Sequence, residues 1–264
     1  NISVGWQKNK WGIQLGYNKR ISRPNYQALN SNVQYDNRYE YEGGNPLLRP
    51  TIKQNLDLNV TYSWLNFTAG YGYNKDLRLN FGYLYQEGTE ITLWTNRNFD
   101  KFESFNASLT ASPKFGFYSP TLTLSYWQQN FDNQAYGLAT KRNKPEWQIN
   151  FRNWFTINKT TKAMLYLHYS TSYDYGFNHN AHEFNINARV QKTFLDGNLT
   201  VALFANDIFC NLRERWTGYY PVSTMAKDAY VYTQNAGVSL TYNFNATNSK
   251  YKGTGAGNEE KKRL

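Results

Sequence analysis

The segment FTAGYGYNKDLRLNFGY, residues 67–83, alternates between apolar residues at odd positions and polar residues or glycine at even positions, with Lys75 as the exception. A period of two is the signature of a β-strand with one apolar and one polar face. At roughly 3.3 Å per residue, this strand would extend for more than about 50 Å. Strands of soluble sheets usually have about five or six residues, and about 9–11 residues cross a bilayer. The segment therefore predicts a strand of a large membrane barrel that projects beyond the lipid.

The composition is compatible with such a barrel although the chain is polar on average. No stretch approaches the roughly 18 consecutive apolar residues of a transmembrane helix. That test does not detect barrels, because a lipid-facing side chain alternates with one that faces the wet lumen. Aromatic residues make up 18% of the chain, and barrels use such residues for the girdles at both membrane interfaces.

The net charge bears on the kind of partner, and the N-terminus bears on whether the sequence is the whole protein. The net charge is +10, but Lys and Arg are scattered over turns, loops and lumen-facing positions, which argues against nucleic-acid binding. The single cysteine, Cys210, excludes an internal disulfide. No signal peptide opens the chain, whereas an outer-membrane protein is exported with one, so we expect that N-terminal sequence is missing.

Alternation of the same kind recurs along nearly the whole chain. We predict eleven strands, at residues 2–7, 11–21, 52–62, 66–83, 89–111, 117–130, 146–157, 161–177, 181–194, 199–209 and 230–244. The fifth is expected to carry a bulge near Asn98, and the Asp196-Gly197 step predicts a tight hairpin. Short and long connections alternate, as periplasmic turns and outer loops do in outer-membrane barrels. The exception is residues 178–180, where the strand ends are expected to fray into a longer loop.

The connection lengths also give the direction of the chain. The last strand follows a long loop and therefore descends, so an odd count places the start of the chain on the outer side. Bacterial single-chain barrels have an even number of strands, and an unpaired edge is not tolerated in lipid. We predict that residues 1–244 are the C-terminal part of a larger antiparallel transmembrane β-barrel and that residues 245–264 form a flexible periplasmic tail.

Four motifs occur in order along the chain. They are Arg20-Ile21-Ser22-Arg23-Pro24, Gly44-Asn45-Pro46 with Pro50 shortly after, Asn206-Asp207-Ile208-Phe209, and the tail from Lys252 to Leu264. Together they resemble TonB-dependent receptor barrels, specifically the outer-membrane β-barrel family common in Bacteroidetes. The resemblance covers essentially the whole chain.

This resemblance implies a 22-stranded barrel with an N-terminal plug domain, of which eleven strands would be half. It implies energy-coupled nutrient uptake through the TonB complex, with no cofactor and no catalysis. The implied partners are outer-membrane lipid, the missing strands and plug, the TonB complex and, as a candidate, a surface lipoprotein. The alternative is a non-transporting barrel with a structural or assembly role, and a barrel enzyme is the third interpretation.

The first long loop carries the ligand-contact candidates. Aromatic and arginine side chains suit recognition of sugars, peptides or metal chelates, and they equally suit an aromatic rim. The candidates are Tyr26, Tyr35, Arg38, Tyr39 and Tyr41 in the loop, and His168, which should face the lumen.

The motif residues are interpreted as structural. They are Arg20, Ser22, Arg23, Pro24, Gly44, Asn45, Pro46, Pro50, Asn206, Asp207, Phe209 and Phe244. The prolines restrict the backbone, and Gly43 and Gly44 permit positive φ. Asp207 is expected to cap a turn with its carboxylate. Phe244 is expected to be the terminal aromatic residue that guides barrel assembly.

The histidines do not form a recognisable catalytic or metal motif. His179, His182 and Glu183 read H-x-x-H-E at a strand end, which is not the helical H-E-x-x-H arrangement of zinc proteases. His168 has Ser170 and Ser172 on its own face, but side chains two residues apart in a strand lie roughly 7 Å apart, beyond hydrogen-bond reach. We therefore predict no metal site and no enzyme activity.

Overall fold

The computed structural model describes residues 1–244, so the predicted tail at 245–264 lies outside the described residues. The strands, in chain order, are β1 (Ile2–Lys8), β2 (Trp11–Ser22), β3 (Val33–Asn37), β4 (Glu40–Gly43), β5 (Thr51–Tyr62), β6 (Leu65–Leu84), β7 (Thr92–Ala111), β8 (Tyr118–Asn130), β9 (Glu146–Thr156), β10 (Thr161–Ser170), β11 (Tyr173–Tyr175), β12 (Asn178–Asn180), β13 (Glu183–Phe194), β14 (Leu199–Asn206), β15 (Arg213–Tyr219), β16 (Thr224–Tyr230) and β17 (Asn235–Tyr242). One short helix, α1, spans Tyr26–Leu29, and two single 3₁₀ turns lie at Gln134–Tyr136 and Leu195–Gly197. Among the described residues, no helix is long and apolar enough to span a membrane.

Eleven strands form one continuous antiparallel sheet in the order β1-β2-β5-β6-β7-β8-β9-β10-β13-β14-β17. Each long strand pairs with the next one along the chain, which confirms the predicted all-β antiparallel architecture and the count of eleven. Within residues 1–244 the sheet stays open, with β1 and β17 as its two edges. The predicted hairpin at Asp196-Gly197 joins β13 to β14, and both residues have positive φ, 50° and 99°.

Several predicted strands are shorter than the alternation suggested. The eighth ends at Ser170 rather than 177, the tenth at Asn206 rather than 209, and the eleventh begins at Asn235 rather than 230. The end of the eighth predicted strand joins segments that were predicted as connections, and together they form a separate four-stranded sheet in the order β11-β12-β15-β16. The connection from β10 to β13 therefore belongs with the long loops, and the alternation of short and long connections holds without exception.

The long strand β6 changes direction at Asp76, which has a φ of 55°. The pairing of β6 with β7 keeps one register on both sides of Asp76, with Lys75 opposite Lys101 and Leu77 opposite Phe99. No residue is therefore inserted at the kink. The predicted bulge near Asn98 is therefore wrong, because the irregularity lies on β6. Asn98 instead donates its side-chain amide to the carbonyl oxygen of Asp76, at 2.8 Å.

The kink divides the apolar face that the sequence showed as continuous. Below Asp76 the odd-numbered side chains are on the outside of the sheet, and Tyr71 is 43% exposed. Above Asp76, Leu77, Leu79 and Phe81 pack into protein, and Phe81 is only 3% exposed, whereas Tyr83 at the end of the strand is again 42% exposed. We call the region beyond the kink the cap: the upper parts of β6 and β7, residues 131–143, and the four-stranded sheet.

The cap has a hydrophobic core of its own at the end of the sheet that carries the long loops. Its buried members come from β6, β7 and three connecting segments, and are Phe81, Phe99, Phe102, Phe131, Leu138 and Phe177. The rings of Phe99 and Phe177 lie 5.1 Å apart, and those of Phe81 and Phe177 also lie 5.1 Å apart. Aromatic pairs at such distances stabilise beyond their buried area. This core fixes the four-stranded sheet against the projecting β6–β7 hairpin.

Candidate ligand-binding site in the outer loops

The first long loop folds onto β7. Strands β3 and β4 form a hairpin, and β4 pairs in parallel with the start of β7, Glu40 opposite Thr92 and Glu42 opposite Trp94. A hairpin held by a backbone ladder presents its side chains at fixed positions. The loop is thereby an ordered extension of the main sheet at its outer end.

The Gly44-Asn45 step fixes the base of this loop. A Cβ on Gly44 would lie 2.3 Å from the carbonyl oxygen of Asn30 and 2.8 Å from that of Ala28. Asn45 donates its backbone N–H to Ala28 and its side-chain amide to the carbonyl of Asn96, at 2.7 Å and 3.1 Å. Neither Gly43 nor Gly44 uses the positive φ that glycine permits. Gly44 is required by the close approach of backbone, not by its torsion angles.

Residues around Pro50 tie the same loop to the kink in β6. The Arg49 guanidinium lies 2.6 Å from the Asp76 carboxylate, and the backbone N–H of Arg49 donates to Asn98 at 2.7 Å. The Thr51 hydroxyl donates to the carbonyl oxygen of Asp76 at 2.8 Å. Asp76 is 8% exposed. Contacts with Arg49, Thr51 and Asn98 hold its strained backbone in place.

The first motif, residues 20–24, contacts β6 just after the kink. Arg78 donates to the Ser22 hydroxyl at 3.0 Å, and Arg23 lines a cavity together with Lys53 and Arg78. The remaining members of the two loop motifs are Arg20, exposed on β2, Pro24, half-buried, and Pro46, exposed. Among these motif residues, Ser22, Gly44 and Asn45 make the contacts that hold the loop in place.

The aromatic candidates of the loop are exposed and partly clustered. Tyr26, at the start of α1, is 93% exposed, and Tyr35 is 65% exposed. The ring of Tyr35 lies 5.8 Å from that of Tyr41, and the Arg38 guanidinium lies 4.4 Å from the centre of the Tyr39 ring. Four of the six candidates, from Tyr35 to Tyr41, are therefore brought together on the hairpin.

His168 does not join this group. It lies on β10, whose partners are β9 and β13, and its Nδ1 is 2.9 Å from the Asn150 side-chain oxygen. The same oxygen accepts a hydrogen bond from Tyr166 at 2.6 Å. His168 is thus part of a polar wall along the sheet.

A cavity of about 440 Å³ lies between the hairpin and the cap. Three carboxylates line it, from Asp36, Glu40 and Glu42. Five large aromatic residues line it as well: Trp94, Tyr175, Phe177, Trp216 and Tyr220. We call it the acid–aromatic cavity. It joins residues from the first loop, from β7 and from the four-stranded sheet, so it exists only once the cap has folded.

The aromatic walls of the cavity are positioned by glycines and by a hydrogen bond. A Cβ on Gly82 would lie 2.8 Å from the Trp94 ring, and one on Gly218 would lie 2.7 Å from the Tyr220 ring, so each ring covers a glycine. The two rings meet edge to face at 4.7 Å, and Trp94 Nε1 donates to Glu40 at 3.2 Å. Burial raises the pKa of Tyr220, so its phenol stays neutral.

Sequence reasoning missed the acidic half of this cavity. The signal was present in Glu40-Tyr41-Glu42, where a strand period of two places both carboxylates on one face and Tyr41 on the other. Trp94, Trp216 and Tyr220 gave no such signal, because they come from distant parts of the chain. Only the folded cap brings them beside the hairpin.

Asp207 lies at the turn after β14. It has a φ of 45° and is 1% exposed. Its carboxylate accepts hydrogen bonds from the backbone of Asn211 at 3.0 Å, from that of Leu212 at 3.3 Å and from the Thr233 hydroxyl at 2.7 Å. This arrangement joins the two ends of the loop that carries β15 and β16, because Thr233 lies two residues before β17.

The remaining motif residues, Asn206 and Phe209 beside Asp207 and Phe244 beyond the other end of β17, are more exposed. Asn206 donates to the Asn235 side chain at 2.9 Å, across the β14–β17 pair. Phe209 is 60% exposed and its ring lies 6.4 Å from that of Phe184. Phe244 is 82% exposed and packs edge to face on Tyr242 at 4.6 Å.

We expect Asp207→Ala to loosen the β15–β16 loop. The change removes the acceptor for two backbone N–H groups and a hydroxyl, and bonds to a charged group are worth about 1.5–3 kcal/mol each in net terms. Alanine also tolerates the positive φ poorly. Hydrogen exchange of residues 208–234 in the intact, folded protein should accelerate at least about tenfold. Asp207→Asn, which keeps an acceptor oxygen and accepts positive φ, is the matched control, and equal exchange in the two variants would contradict the capping role.

His179, from the histidine segment, is paired with the carboxylate of Asp174. His179 Nδ1 lies 2.7 Å from an Asp174 oxygen, and the other oxygen of Asp174 accepts the Lys144 N–H at 2.9 Å. Within residues 1–244, no three His, Cys, Asp or Glu side chains are gathered so that they could hold a metal ion. The H-x-x-H-E segment is thus divided between β12 and β13.

Comparison with known proteins gives matches over the whole described sheet. The model of the outer membrane protein beta-barrel family matches residues 1–242. Among solved structures, the siderophore receptor PirA from Pseudomonas aeruginosa is 16% identical over 80% of this chain, with a TM-score of 0.60. A mutant of the ferric enterobactin receptor PfeA from the same organism, in complex with enterobactin, is 13% identical over 92%, with a TM-score of 0.61. The copper transporter OprC is 10% identical over 92%, with a TM-score of 0.57.

The chain spans only part of these structures, covering 39% of PirA, 40% of PfeA and 38% of OprC. A comparison with curated protein sequences finds no match. At these identities the structural likeness shows the fold alone. Together with the family match, it establishes an outer-membrane β-barrel and therefore a location in the outer membrane.

Proposed function

Because the chain belongs to the outer membrane protein beta-barrel family, we propose that it is the C-terminal part of an energy-coupled outer-membrane receptor that takes up a nutrient. One observation carries the proposal: an open sheet of eleven strands, with β1 and β17 as free edges, has the fold of part of larger receptor barrels. Free edges cannot stay unpaired in lipid. In the membrane, both edges then pair with further strands.

The missing partners follow from the same proposal. Eleven further strands would complete a 22-stranded barrel, a plug domain would fill its lumen, and the TonB complex would supply energy. The matched structures include two siderophore receptors and a copper transporter, which supports a scarce solute as the cargo. A surface lipoprotein that covers the outer loops is a further proposed partner. A Bacteroidetes origin stays a prediction.

The proposed receptor binds its ligand in the outer loops, without catalysis or a cofactor. The hairpin presents Tyr35, Arg38, Tyr39 and Tyr41 beside the acid–aromatic cavity, and His168 would contact the solute later, on the lumen wall. The motif residues would keep the loops in place. Such a division, with a rigid wall below and binding side chains on loops above, is common among binding proteins.

The function is tested by comparing solute uptake in three strains. They are the parent, a strain that lacks this protein, and a strain that lacks TonB, each grown in one defined medium. We expect mass spectrometry to find at least one small solute that only the parent depletes from the medium. Equal depletion by all three strains, together with a defect in outer-membrane assembly when the protein is absent, would favour the non-transporting structural role instead.

A further inference from the structure

We propose that the acid–aromatic cavity binds an organic cation, a small molecule that carries an ammonium or guanidinium group. The cavity is of a size typical of small-molecule sites, about 440 Å³. Its lining combines carboxylates with broad aromatic faces. The two kinds of group together suit a positive charge that is attached to an apolar body.

The carboxylates of the cavity lack positive partners. No Lys or Arg lines it. Among residues 1–244, the ion pairs involve other acids, and none includes Asp36, Glu40 or Glu42. The chain as a whole carries a net charge of +10, so three uncompensated carboxylates around one cavity depart from its general balance. A cation bound in the cavity would be attracted by all three carboxylates.

The aromatic faces of the cavity are also free of cations. In the described part of the chain, Lys and Arg lie over six rings elsewhere, such as Arg142 over Tyr219 and Arg152 over Tyr166. None lies over Trp94, Trp216, Tyr175 or Tyr220. Tryptophan faces attract ammonium and guanidinium groups most strongly among aromatic side chains. The rings of the cavity are therefore open to a cation that comes from outside the protein.

The three acids differ in what they already bind. Glu40 accepts hydrogen bonds from Trp94 at 3.2 Å and from the Asn37 amide at 2.7 Å, so it is held in place. Glu42 stands two residues further along β4 on the same face, opposite Trp94 in the ladder. Among the hydrogen bonds of residues 1–244, none uses the Glu42 carboxylate. Glu40 thus positions Trp94 in the wall of the cavity, and the Glu42 carboxylate is available to bind the ligand.

Two other ligand classes fit less well. A bound divalent metal requires several close oxygen ligands, and residues 1–244 contain no such cluster. A neutral sugar would use the aromatic faces and the amide of Asn178 but would leave three carboxylates uncompensated. The absence of any positive partner is the observation that favours the cation.

Binding is tested on the intact protein, purified from outer membranes in detergent, by calorimetry. The probes are choline, agmatine, the neutral choline isostere 3,3-dimethyl-1-butanol, and glucose. We expect saturable binding of choline or agmatine that weakens as salt is added, and binding of the isostere at least about tenfold weaker. No saturable binding of either cation, equal binding of the isostere, or binding of glucose alone would overturn the proposal.

Variants then assign the binding to this cavity. Glu42→Gln preserves shape and removes one charge, and we expect it to weaken cation binding about tenfold. Glu87→Gln, on the exposed loop after β6, removes the same charge outside the cavity and should leave binding unchanged. Both must run as folded species on unheated gels. Equal weakening in the two variants would show a general electrostatic effect and would contradict the site.

That the bound cation is also the cargo rests on the proposed function. Uptake of labelled choline or agmatine by the parent and by the strain without TonB separates the two statements. TonB-dependent uptake that Glu42→Gln reduces would support both. Binding without uptake would leave the cation site standing and would reject only its role in transport.

Discussion

Replacing Phe99 with alanine should open the cap while the main sheet stays folded. Phe99 is fully buried, and four rings surround it at centroid distances of 4.6 Å (Tyr136), 5.1 Å (Phe177), 5.5 Å (Phe131) and 5.8 Å (Phe81). Removing a buried phenylalanine costs about 3–5 kcal/mol, through lost burial and the cavity left behind. This core joins the four-stranded sheet and residues 131–143 to β6 and β7. The free energy needed to open the cap should therefore fall by that amount.

Hydrogen exchange on the intact, folded protein measures this effect. Peptides that cover residues 131–138 and 175–178 should lose protection by on the order of 10²–10³-fold, and those of β9 and β10 should change little. The control is Phe209→Ala, because Phe209 is 60% exposed and surface truncations usually change stability by less than about 0.5 kcal/mol. Protection of the cap that matched the control would show that the cap is held by something other than its aromatic core.

The Phe99→Ala variant should also weaken cation binding. Tyr220 forms one wall of the acid–aromatic cavity, and its ring lies 5.9 Å from Phe177 and 6.1 Å from Phe81, both members of the cap core. When the core loosens, this wall loses its support, and part of the binding free energy is spent on ordering it again. The cap core therefore supports one wall of the cavity.

The main sheet could be predicted from sequence because its pattern is local. Alternation over a strand, a short turn such as Asp196-Gly197, and the order of neighbours each depend on residues that are close in the chain. The periodicity could not reveal the kink at Asp76, because the odd positions other than Lys75 stay apolar on both sides of it. Lipid below the kink and protein above it both accept apolar side chains, so the two environments leave the same pattern.

The site was predictable only in part for a related reason. The aromatic side of the hairpin was evident from Tyr35, Arg38, Tyr39 and Tyr41, because these residues lie within one short segment. The cavity also needs Trp94, from β7, and Tyr220, from the loop after β15. No local pattern relates residues so far apart. Trp94 was expected in a strand of the barrel wall, and Tyr220 was expected in an outer loop. The cap had to be recognised as a separate sheet before the cavity could exist.

We expect Gly44→Ala to separate the α1 segment, residues 26–30, from the end of the β3–β4 hairpin and thereby to loosen the first loop. The new Cβ would lie 2.3 Å, 2.7 Å and 2.8 Å from the carbonyl oxygens of Asn30, Gln27 and Ala28. These are backbone atoms, so no change of rotamer relieves the contact, and the cost should reach the upper end of the range for an inserted methyl group, about 3 kcal/mol. Separation of the two segments also breaks the bonds of Asn45 to Ala28 and Asn96.

Limited proteolysis of the folded, intact protein reports the release. Cleavage within residues 23–49 should be faster in Gly44→Ala by roughly tenfold or more, since the open form is what the protease attacks. Gly16→Ala is the matched control, because a Cβ on Gly16 meets nothing within 4 Å. Strand β4 carries Glu40 and Glu42, so choline binding should fall together with protease resistance. Equal cleavage of the two variants would show that the carbonyls move aside at little cost, and the Gly44-Asn45 step would then no longer explain how the hairpin is held beside the cavity.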